Sequence, residues 1–381
     1  MARTNGYVYK DYRKGKSGKK KRRFSLSLLL FLIDVVMVVA LLGSAVATII
    51  CIITPHYEPA SMGLLSTVAL GAPIIYIVTL CTLFYWIIRW KWSLVVISLI
   101  FVIISSVWIG KYYRLYAKQP TASVYPSHIK LVSYNLSCKN RSEIVDSLAL
   151  HKAQIVCLQE YKSDSSFVWN NIGKKFRGNS KKFATTASGN ADFSCEILTN
   201  LKILRQGLID SLPRFNAIWA DILYNKDTIR VINLHLKSTT ITQQDIDFVE
   251  SHKYVLDSAR NTKIRTIADK LIDNSIFRSA QARKVSEFIA KSAPMKMIVC
   301  GDFNDVPLSF TYRTIAKNLN DTFTAAGRGY RYTFNGFFKL LPIDYVLTSE
   351  HFTTLSYDVD YSMNVSDHYP VITRLKLDTN K

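Results

Sequence analysis

Three long apolar runs crowd into the first 110 residues, and no other feature limits the fold as tightly. They extend from Ser25 to Thr54, from Met62 to Ile88 and from Trp92 to Gly110. A hydrocarbon core about 30 Å thick is crossed by a helix of about 20 apolar residues, so each run is long enough to span. All three are apolar on every face and lack the amphipathic period of helices that rest on a soluble core. Three transmembrane helices are therefore expected over residues 25–110. Ala45-Val46-Ala47 has the small residues of a signal-cleavage site, but the run continues through Ile49, Ile50, Ile52 and Ile53. That is too long for a signal peptide, and an uncleaved anchor is expected. Asp34 is the one acidic residue in these runs. Because the first run is longer than a bilayer needs, Asp34 is expected near the headgroup level rather than at a functional intramembrane site.

Charge sets the expected orientation. The chain carries a formal net charge of +21. Residues 1–24 hold Arg3, Lys10, Arg13, Lys14, Lys16, Lys19, Lys20, Lys21, Arg22 and Arg23 against Asp11 alone. Lys and Arg stay on the cytoplasmic side. The tail is therefore placed inside, and the Lys- and Arg-free loop Pro55–Ser61 outside. Arg89 and Lys91 fall inside again, and everything after Gly110 outside. Lys111, Arg114 and Lys118 oppose this mildly. Trp90, Trp92, Tyr112 and Tyr113 suit interfacial anchoring. This pattern is expected of a multi-pass protein in the plasma (inner) membrane of a bacterium. Residues 111–127 read as a linker, with Gln119-Pro120 and Tyr125-Pro126 as breakers.

From residue 128 to the end the texture changes to a mixed α and β domain. Ile129–Tyr134, Ile155–Leu158, Ile229–Leu234, Met297–Cys300 and Ile343–Leu347 read as strands. Ser142–His151 fits a helix with Ser142 as its cap. The stretch from Thr242 to Ser292 is helical in pattern, with Phe277, Ala280, Val285, Phe288 and Ile289 as its apolar face. Of six cysteines, Cys157 and Cys300 lie in buried-strand patterns, and no C-x-x-C occurs, which argues against a structural zinc site.

The strands stop on polar residues. Leu-Val-Ser-Tyr ends on Asn135, Ile-Val-Cys-Leu on Gln159-Glu160, Val-Ile-Asn-Leu on His235, and Met-Ile-Val-Cys on Gly301-Asp302-Phe303-Asn304. Asp344 interrupts Pro-Ile-Asp-Tyr, and Asp367-His368 precedes a last short strand. A lone Asp after Gly is usually a turn residue, and a lone His in an apolar run is usually a core residue. Six such sites together suggest polar groups converging on one rim of a sheet. The chemistry agrees with phosphoester hydrolysis. Mg²⁺ and Mn²⁺ take hard oxygen ligands, which Glu160, Asp367 and the amide oxygen of Asn135 can supply. Asp302 can orient or deprotonate water. Asn304, His235 and His368 can donate hydrogen bonds to phosphoryl oxygens, and Asp344 can hold a histidine in one tautomer.

In this order, Ser-Tyr-Asn135, Leu-Gln-Glu160, Asn233-Leu-His235, Gly-Asp302-Phe-Asn304, Ile-Asp344-Tyr and Ser-Asp367-His368-Tyr-Pro370 resemble the endonuclease/exonuclease/phosphatase superfamily, over about residues 128–377. The resemblance implies a DNase I-like, four-layer α/β sandwich. It implies Glu160 as principal metal ligand with Asn135 and Asp367 nearby, Asp302 on the attacking water, and Asn304 and His235 on the phosphate. It also pairs Asp344 with His368. The run Arg278–Arg283 looks like the helix that family members carry before the Gly-Asp-Phe-Asn strand. The chain departs from the family at Phe193-Ser194-Cys195-Glu196-Ile197-Leu198, where neither the Lys nor the Pro of the usual segment is present.

Three functions compete. A membrane-anchored phosphodiesterase or phosphatase acting on a phospholipid or another envelope phosphoester gives the anchor a purpose. An extracytoplasmic nuclease would use basic stretches such as Lys174-Lys175-Phe176-Arg177 and Lys181-Lys182 to follow nucleic-acid phosphates. A non-enzymatic binding module would be expected to have lost Glu160, Asp302 or Asn304, and all are present. The lipid bilayer is the expected partner besides the substrate, and nothing in the sequence identifies a protein partner.

Overall fold

A computed structural model describes residues 17–116, 128–137, 151–161, 194–209, 216–239, 241–250, 258–363 and 365–378. The expected helix Ser142–His151, the 119–126 breakers and the basic stretches at 174–182 lie outside these residues, His151 itself excepted.

The N-terminal third is helical. Helix α1 (Ser17–Ile53) is followed by a 3₁₀ turn (Thr54–His56) and a single α-turn, α2 (Pro59–Met62). A 3₁₀ stretch (Gly63–Gly71), α3 (Ala72–Ile88) and α4 (Trp92–Ile109) complete the region. Among the described residues, three segments are long and apolar enough to cross a membrane: Leu26–His56, Pro59–Ile88 and Trp92–Ile109. The second is not the continuous α-helix expected from Met62. Its first part winds as 3₁₀ and turns α-helical only at Ala72. Gly63 opens it at φ +52, and Pro73, in the first turn of α3, has no N–H to carry an α-helix back through Gly71.

The three segments pack through Leu41, Trp86 and Val95, and through the Thr48 and Ser105 hydroxyls 3.5 Å apart. Asp34 has an assigned place. The Arg89 guanidinium donates to both of its oxygens (Nε–Oδ1 2.9 Å, Nη2–Oδ2 2.7 Å), and the Tyr85 hydroxyl donates to Oδ1. An apolar setting strengthens such a bidentate pair, and here it ties α1 to the end of α3.

The rest is a sandwich. A six-stranded sheet takes the order β5-β6-β7-β8-β11-β9 and a five-stranded sheet the order β12-β13-β2-β3-β4. In chain order these strands are β2 (Ile129–Asn135), β3 (Ile155–Tyr161), β4 (Ser194–Thr199), β5 (Lys202–Leu208), β6 (Asn216–Tyr224) and β7 (Asp227–His235), then β8 (Lys296–Asp302), β9 (Asn320–Asp321), β11 (Asp344–Thr348), β12 (Phe352–Val359) and β13 (Val371–Leu377). Both sheets are mixed: β2–β3 and β7–β8 are parallel and their other pairings antiparallel. Side chains alternate across a strand. Leu131, Ile155, Cys157, Ile218, Val231, Ile298 and Cys300 thus fill the space between the sheets, while Val132, Tyr134, Val156 and Leu158 form a separate outer layer.

Helix α5 (Gln243–Glu250) leads to the long helix α6 (Ser258–Ser292), which covers the outer face of the six-stranded sheet. Its buried stripe is Ala282, Val285 and Ile289, with Phe288 partly covered. Phe277 and Ala280, expected on that face, point away from it, and Phe277 is 49% exposed. The reason is that Arg278 and Gln281, both buried, turn inward in their place to hold loops at the site.

The helical region is seated on the sandwich. Cys51, Ala69, Ala72, Trp108 and Tyr112 share one buried cluster with Val306 and Leu308. Strand β1 (Tyr113–Arg114) pairs with β10 (Gly329–Tyr330). Glu58, in the first interhelical loop, forms an ion pair with Arg283 of α6. Lys111 and Arg114, which opposed the orientation reading, are used in this seam. The Lys111 ammonium lies 5.2 Å from the centre of the Tyr312 ring, its carbonyl accepts from Arg331, and Arg114 sits in the β1–β10 pairing.

Candidate active site

The polar strand ends converge because register aligns them within each sheet and the packing of the two sheets brings the two sets together. His235 pairs with Asp302 across β7–β8, Asp344 with Asp302 across β11–β8, and Asn135 with Gln159 across β2–β3. On β3, strict alternation would turn Glu160 outward with Val156 and Leu158. The register shifts between Leu158 and Tyr161, and Glu160 takes φ +48. This bulge swings the carboxylate to the rim, and a left-handed Glu costs on the order of 1 kcal/mol that neighbouring contacts must offset. Asn304 is also left-handed, at φ +51, a region Asn tolerates well. At Gly301 (φ +128) a Cβ would lie 2.0 Å from the Leu234 carbonyl oxygen, so only glycine lets β8 approach β7 here.

Asp302 is the hub. Asn135 Nδ2 donates to Asp302 Oδ2 (3.0 Å) and to Glu160 Oε1 (3.2 Å). Asn304 donates to Asp302 through its backbone N–H (2.7 Å to Oδ1) and its amide (3.0 Å to Oδ2). His235 Nε2 lies 3.3 Å from Glu160 Oε1, and His368 Nε2 lies 3.8 Å from Asp302 Oδ2. His368 Nδ1 is 2.9 Å from Asp344 Oδ2, which orients the imidazole with Nε2 toward the site. Seven of the eight expected residues thus form one contact network.

Asp367 stands apart. It is joined to the Ser366 hydroxyl (3.3 Å) and lines the same cleft as Glu160 and His368 without entering the carboxylate cluster. Asn135 also differs from expectation. Its Oδ1, the expected ligand atom, accepts from the Ser137 N–H (2.9 Å), and its amide nitrogen faces the carboxylates.

Burial and mutual charge govern protonation. Burial raises the Asp302 carboxyl and the neighbouring Asp344 charge raises it further, to about 6. Burial also works against the Glu160 anion, but the hydrogen bond and charge of His235 and the charge of His368 outweigh it and hold the carboxyl at about 2. His368 is disfavoured as a cation by burial, yet Asp344 and Asp302 raise it to about 10. The result is a pocket of carboxylates balanced by imidazoles and amide donors.

The donor set fits a hard divalent cation. One ligand atom each from Glu160, His235 and Asp302 lies within 4.8 Å of the others, as does one each from Asp302, Asp344 and His368. Carboxylate oxygens dominate, as Mg²⁺ or Mn²⁺ requires, and a cation would relieve the repulsion that raises Asp302.

A buried polar layer supports the rim. Gln159 Nε2 donates to Asn233 Oδ1 (2.6 Å), and Asn233 Nδ2 donates to the carbonyls of Leu158 and Glu196 (both 2.9 Å), locking the two sheets together below the site. Arg278 reaches Asp305 Oδ2 and the Lys237 carbonyl, while Gln281 accepts from the Lys237 N–H. The run Arg278–Arg283 thus positions the loops after β7 and β8. The departing segment around Cys195 is strand β4, and Cys195 and Ile197 are buried in the core.

The profile of the Endonuclease/Exonuclease/phosphatase family matches residues 132–368. The chain belongs to this family. Members are phosphoester hydrolases, and the fold is the DNase I-like arrangement of paired sheets. A second profile, described only as a domain of unknown function, matches residues 29–112. Among solved structures, the human Nocturnin catalytic domain is similar at 19% identity, over 69% of this chain and 96% of that one, with a TM-score of 0.47. A mannosyl-6-phosphatase from Bacteroides thetaiotaomicron is similar at 17% identity, over 65% and 100%, with a TM-score of 0.47. Beta toxin from Staphylococcus aureus is similar at 14% identity, over 66% and 100%, with a TM-score of 0.42. Comparison with curated protein sequences gives no match.

Sequence reasoning did not find the surroundings of the cluster. Glu160, Asn304, Asp367 and His368 open into a cleft of about 460 Å³ whose other walls are apolar except at Ser238 and Thr239. Phe334, Phe337, Leu340, Leu341 and Ile343 come from the segment before β11, and Ile267 and Leu271 from α6. Leu70, Gly71 and Ile74 come from the second membrane-length segment. The only signal in the sequence was the apolar run Phe337-Phe338-Lys339-Leu340-Leu341 just ahead of Asp344. No periodicity links it to residues near 70.

Proposed function

We propose that the chain is a membrane-anchored, Mg²⁺- or Mn²⁺-dependent hydrolase of a phosphoester carried by a membrane lipid. The observation that carries this reading is the shared cleft: catalytic-cluster residues form one part of its wall, and a segment apolar enough to cross a bilayer forms another. A nuclease groove would instead present cationic and stacking side chains along its length, whereas the described lining of this cleft is mainly aliphatic and aromatic.

Under this reading Glu160 would hold the divalent ion, with Asn135 steadying its carboxylate through the amide N–H and Asp367 in the wall of the same cleft. When bound, the ion supplies positive charge that polarises the phosphoryl group. Asp302 orients the attacking water and draws its proton. Its carboxyl, raised by burial and by Asp344, is suited to receiving one. Asn304 and His235 donate to the phosphoryl oxygens. His368, held protonated by Asp344, adds a charged donor where negative charge develops. The basic tail lies on the cytoplasmic side of a bacterial plasma membrane and the hydrolase domain outside. In support, the sandwich is seated at the end of the bundle where α1 and α4 finish and the second segment begins, away from the start of α1.

The test is hydrolysis by the detergent-solubilised protein of matched panels of phospholipids, DNA and RNA with Mg²⁺ or Mn²⁺, with Glu160→Gln as control. Headgroup release that disappears in the variant is expected. Nucleic-acid cleavage with lipids untouched would overturn the lipid reading. A reporter fused after Lys118 that signals a cytoplasmic location would overturn the topology.

A further inference from the structure

The cleft is deeper and more apolar than a phosphoester requires. Its apolar part begins at the catalytic imidazole: Phe334 forms an isolated bridge with His368, and their rings meet edge-on at 5.2 Å. From there it runs between two walls. On one side, Leu70 lies next to the end of the 3₁₀ stretch and Ile74 in the first turn of α3. Ile74 is 48% exposed, so a residue that lines the cleft also belongs to the outer surface of the membrane-length segment. The cleft therefore opens sideways onto the face that lipid would cover.

The opposite wall is the turn Phe337–Lys339. All three of its residues are left-handed, with φ of 49, 56 and 57°. Each such non-glycine residue is strained, and strain of this kind gathers where a site holds a ligand. Phe338 is 56% exposed at the lip. Gly336 permits the turn, because a Cβ there would come within 2.5 Å of the Phe334 ring.

We infer that the cleft takes one acyl chain of the substrate directly from the leaflet in which the protein is seated, between Leu70 and Ile74 on one side and the Phe337–Lys339 turn on the other. This rests on the lipid reading above and adds that the membrane segment is part of the substrate site. An acyl chain leaving the bilayer for a polar groove would lose its apolar surroundings, whereas here it exchanges lipid for aliphatic and aromatic side chains at little cost. The ester group then reaches Glu160 and His368 while the rest of the lipid stays in the leaflet. Two consequences follow. The protein acts on lipids of its own membrane, and Phe338 and Leu70 determine which chains are accepted.

The experiment uses the full chain in phosphatidylcholine vesicles containing phosphatidylglycerol with a mid-chain diazirine in one acyl chain. After illumination, cross-linked peptides are identified by mass spectrometry. Cross-links within residues 70–74 and 337–341 are expected. Leu70→Trp fills the space, and overpacking of this kind reduces the yield at 337–341 by about tenfold. Ile74→Trp, at a half-exposed position in the same wall, fills the same space and gives the same readout should Leu70→Trp fail to fold. Cross-links confined to lipid-facing positions such as Ile88 and Val107 would overturn the inference, as would equal turnover of lipid supplied in separate vesicles. Lipid hydrolysis without cleft cross-links sinks the inference and leaves the lipid reading standing, while cleft cross-links without lipid hydrolysis show a lipid-binding cleft and sink the lipid-substrate reading, and with it the claim that the chain bound is the substrate's.

Discussion

Arg331→Met tests how the helical region is fastened to the hydrolase domain. Arg331 is fully buried, and its guanidinium donates to both oxygens of Asp321 at 3.0 and 3.1 Å. A further N–H reaches the Lys111 carbonyl (2.9 Å) at the exit from α4, while the Arg331 backbone N–H reaches the Tyr112 carbonyl (2.8 Å). The guanidinium also lies over the Phe323 and Tyr345 rings, 4.4 and 5.0 Å from their centres. Methionine keeps much of the volume but leaves the Asp321 charge buried with the Tyr312 hydroxyl and the Phe323 N–H as its remaining donors. Breaking a buried pair from one side costs about 3–5 kcal/mol. For a domain of this size each kcal/mol moves Tm by about 2–4 °C, so a fall of about 6–20 °C is expected. The assay is tryptophan fluorescence of the detergent-solubilised full chain during heating at one fixed scan rate. Asp321→Asn in the same chain removes the orphaned charge and should recover a large part of the loss. A fall under about 2 °C, or a double variant no better than the single one, would refute the argument that this pair carries the seam.

Three further outcomes are expected. Glu160→Gln raises the Mg²⁺ or Mn²⁺ concentration for half-maximal activity by at least the roughly 10–100-fold that loss of mere supporting contacts to a metal ligand costs; an unchanged metal titration would remove Glu160 from the ion. Asp302→Asn lowers turnover by about 10²–10⁴ with the metal requirement kept, and full activity would refute its role on the water. His151 is shifted below its ordinary value because burial outweighs the Asp360 carboxylate 3.0 Å away. A depressed histidine favours the neutral form in the folded state, so its contribution is complete above about pH 6.5 and is lost as pH falls below that. Tm measured from pH 7 to 5 should therefore decline less steeply in His151→Gln than in the parent chain.

The parts of the site legible in the sequence are those that two-residue alternation along a strand can carry. Asn135, His235, Asp302 and Asp344 end or begin strands; register within the six-stranded sheet aligns the last three, and the packing of the five-stranded sheet against it brings Asn135 to Asp302. Glu160 was legible by type but not by direction, since alternation points it the wrong way and only the bulge corrects it. Hydrophobicity alone places Phe277 and Ala280 on the buried face of α6, where neither lies. There, contacts from Arg278 and Gln281 to the active-site loops outrank apolar burial. The 3₁₀ form of residues 63–71 was hidden for a related reason: Gly63, Gly71 and Pro73 sit within an apolar run whose composition favours a membrane helix of either kind.

The apolar cleft as a whole was not legible because it is made by docking. Each wall has an independent reason to be hydrophobic: Leu70 and Ile74 as part of a segment long and apolar enough to cross a membrane, and Phe337 to Leu341 as the approach to a buried strand. What turns these walls into one cleft is the seam formed by Tyr112, Trp108, Val306 and Leu308, by the β1–β10 pairing, and by Arg331 on Lys111 and Asp321. Loosening that seam should therefore affect catalysis selectively. In Arg331→Met, at temperatures where the fold persists, turnover of a long-chain lipid should fall further than turnover of a water-soluble phosphodiester. The soluble ester needs only the cluster around Asp302, whereas the lipid needs both walls. Equal losses on the two substrates would mean that the cluster alone defines the site and that the helical region serves only to hold the hydrolase at the membrane.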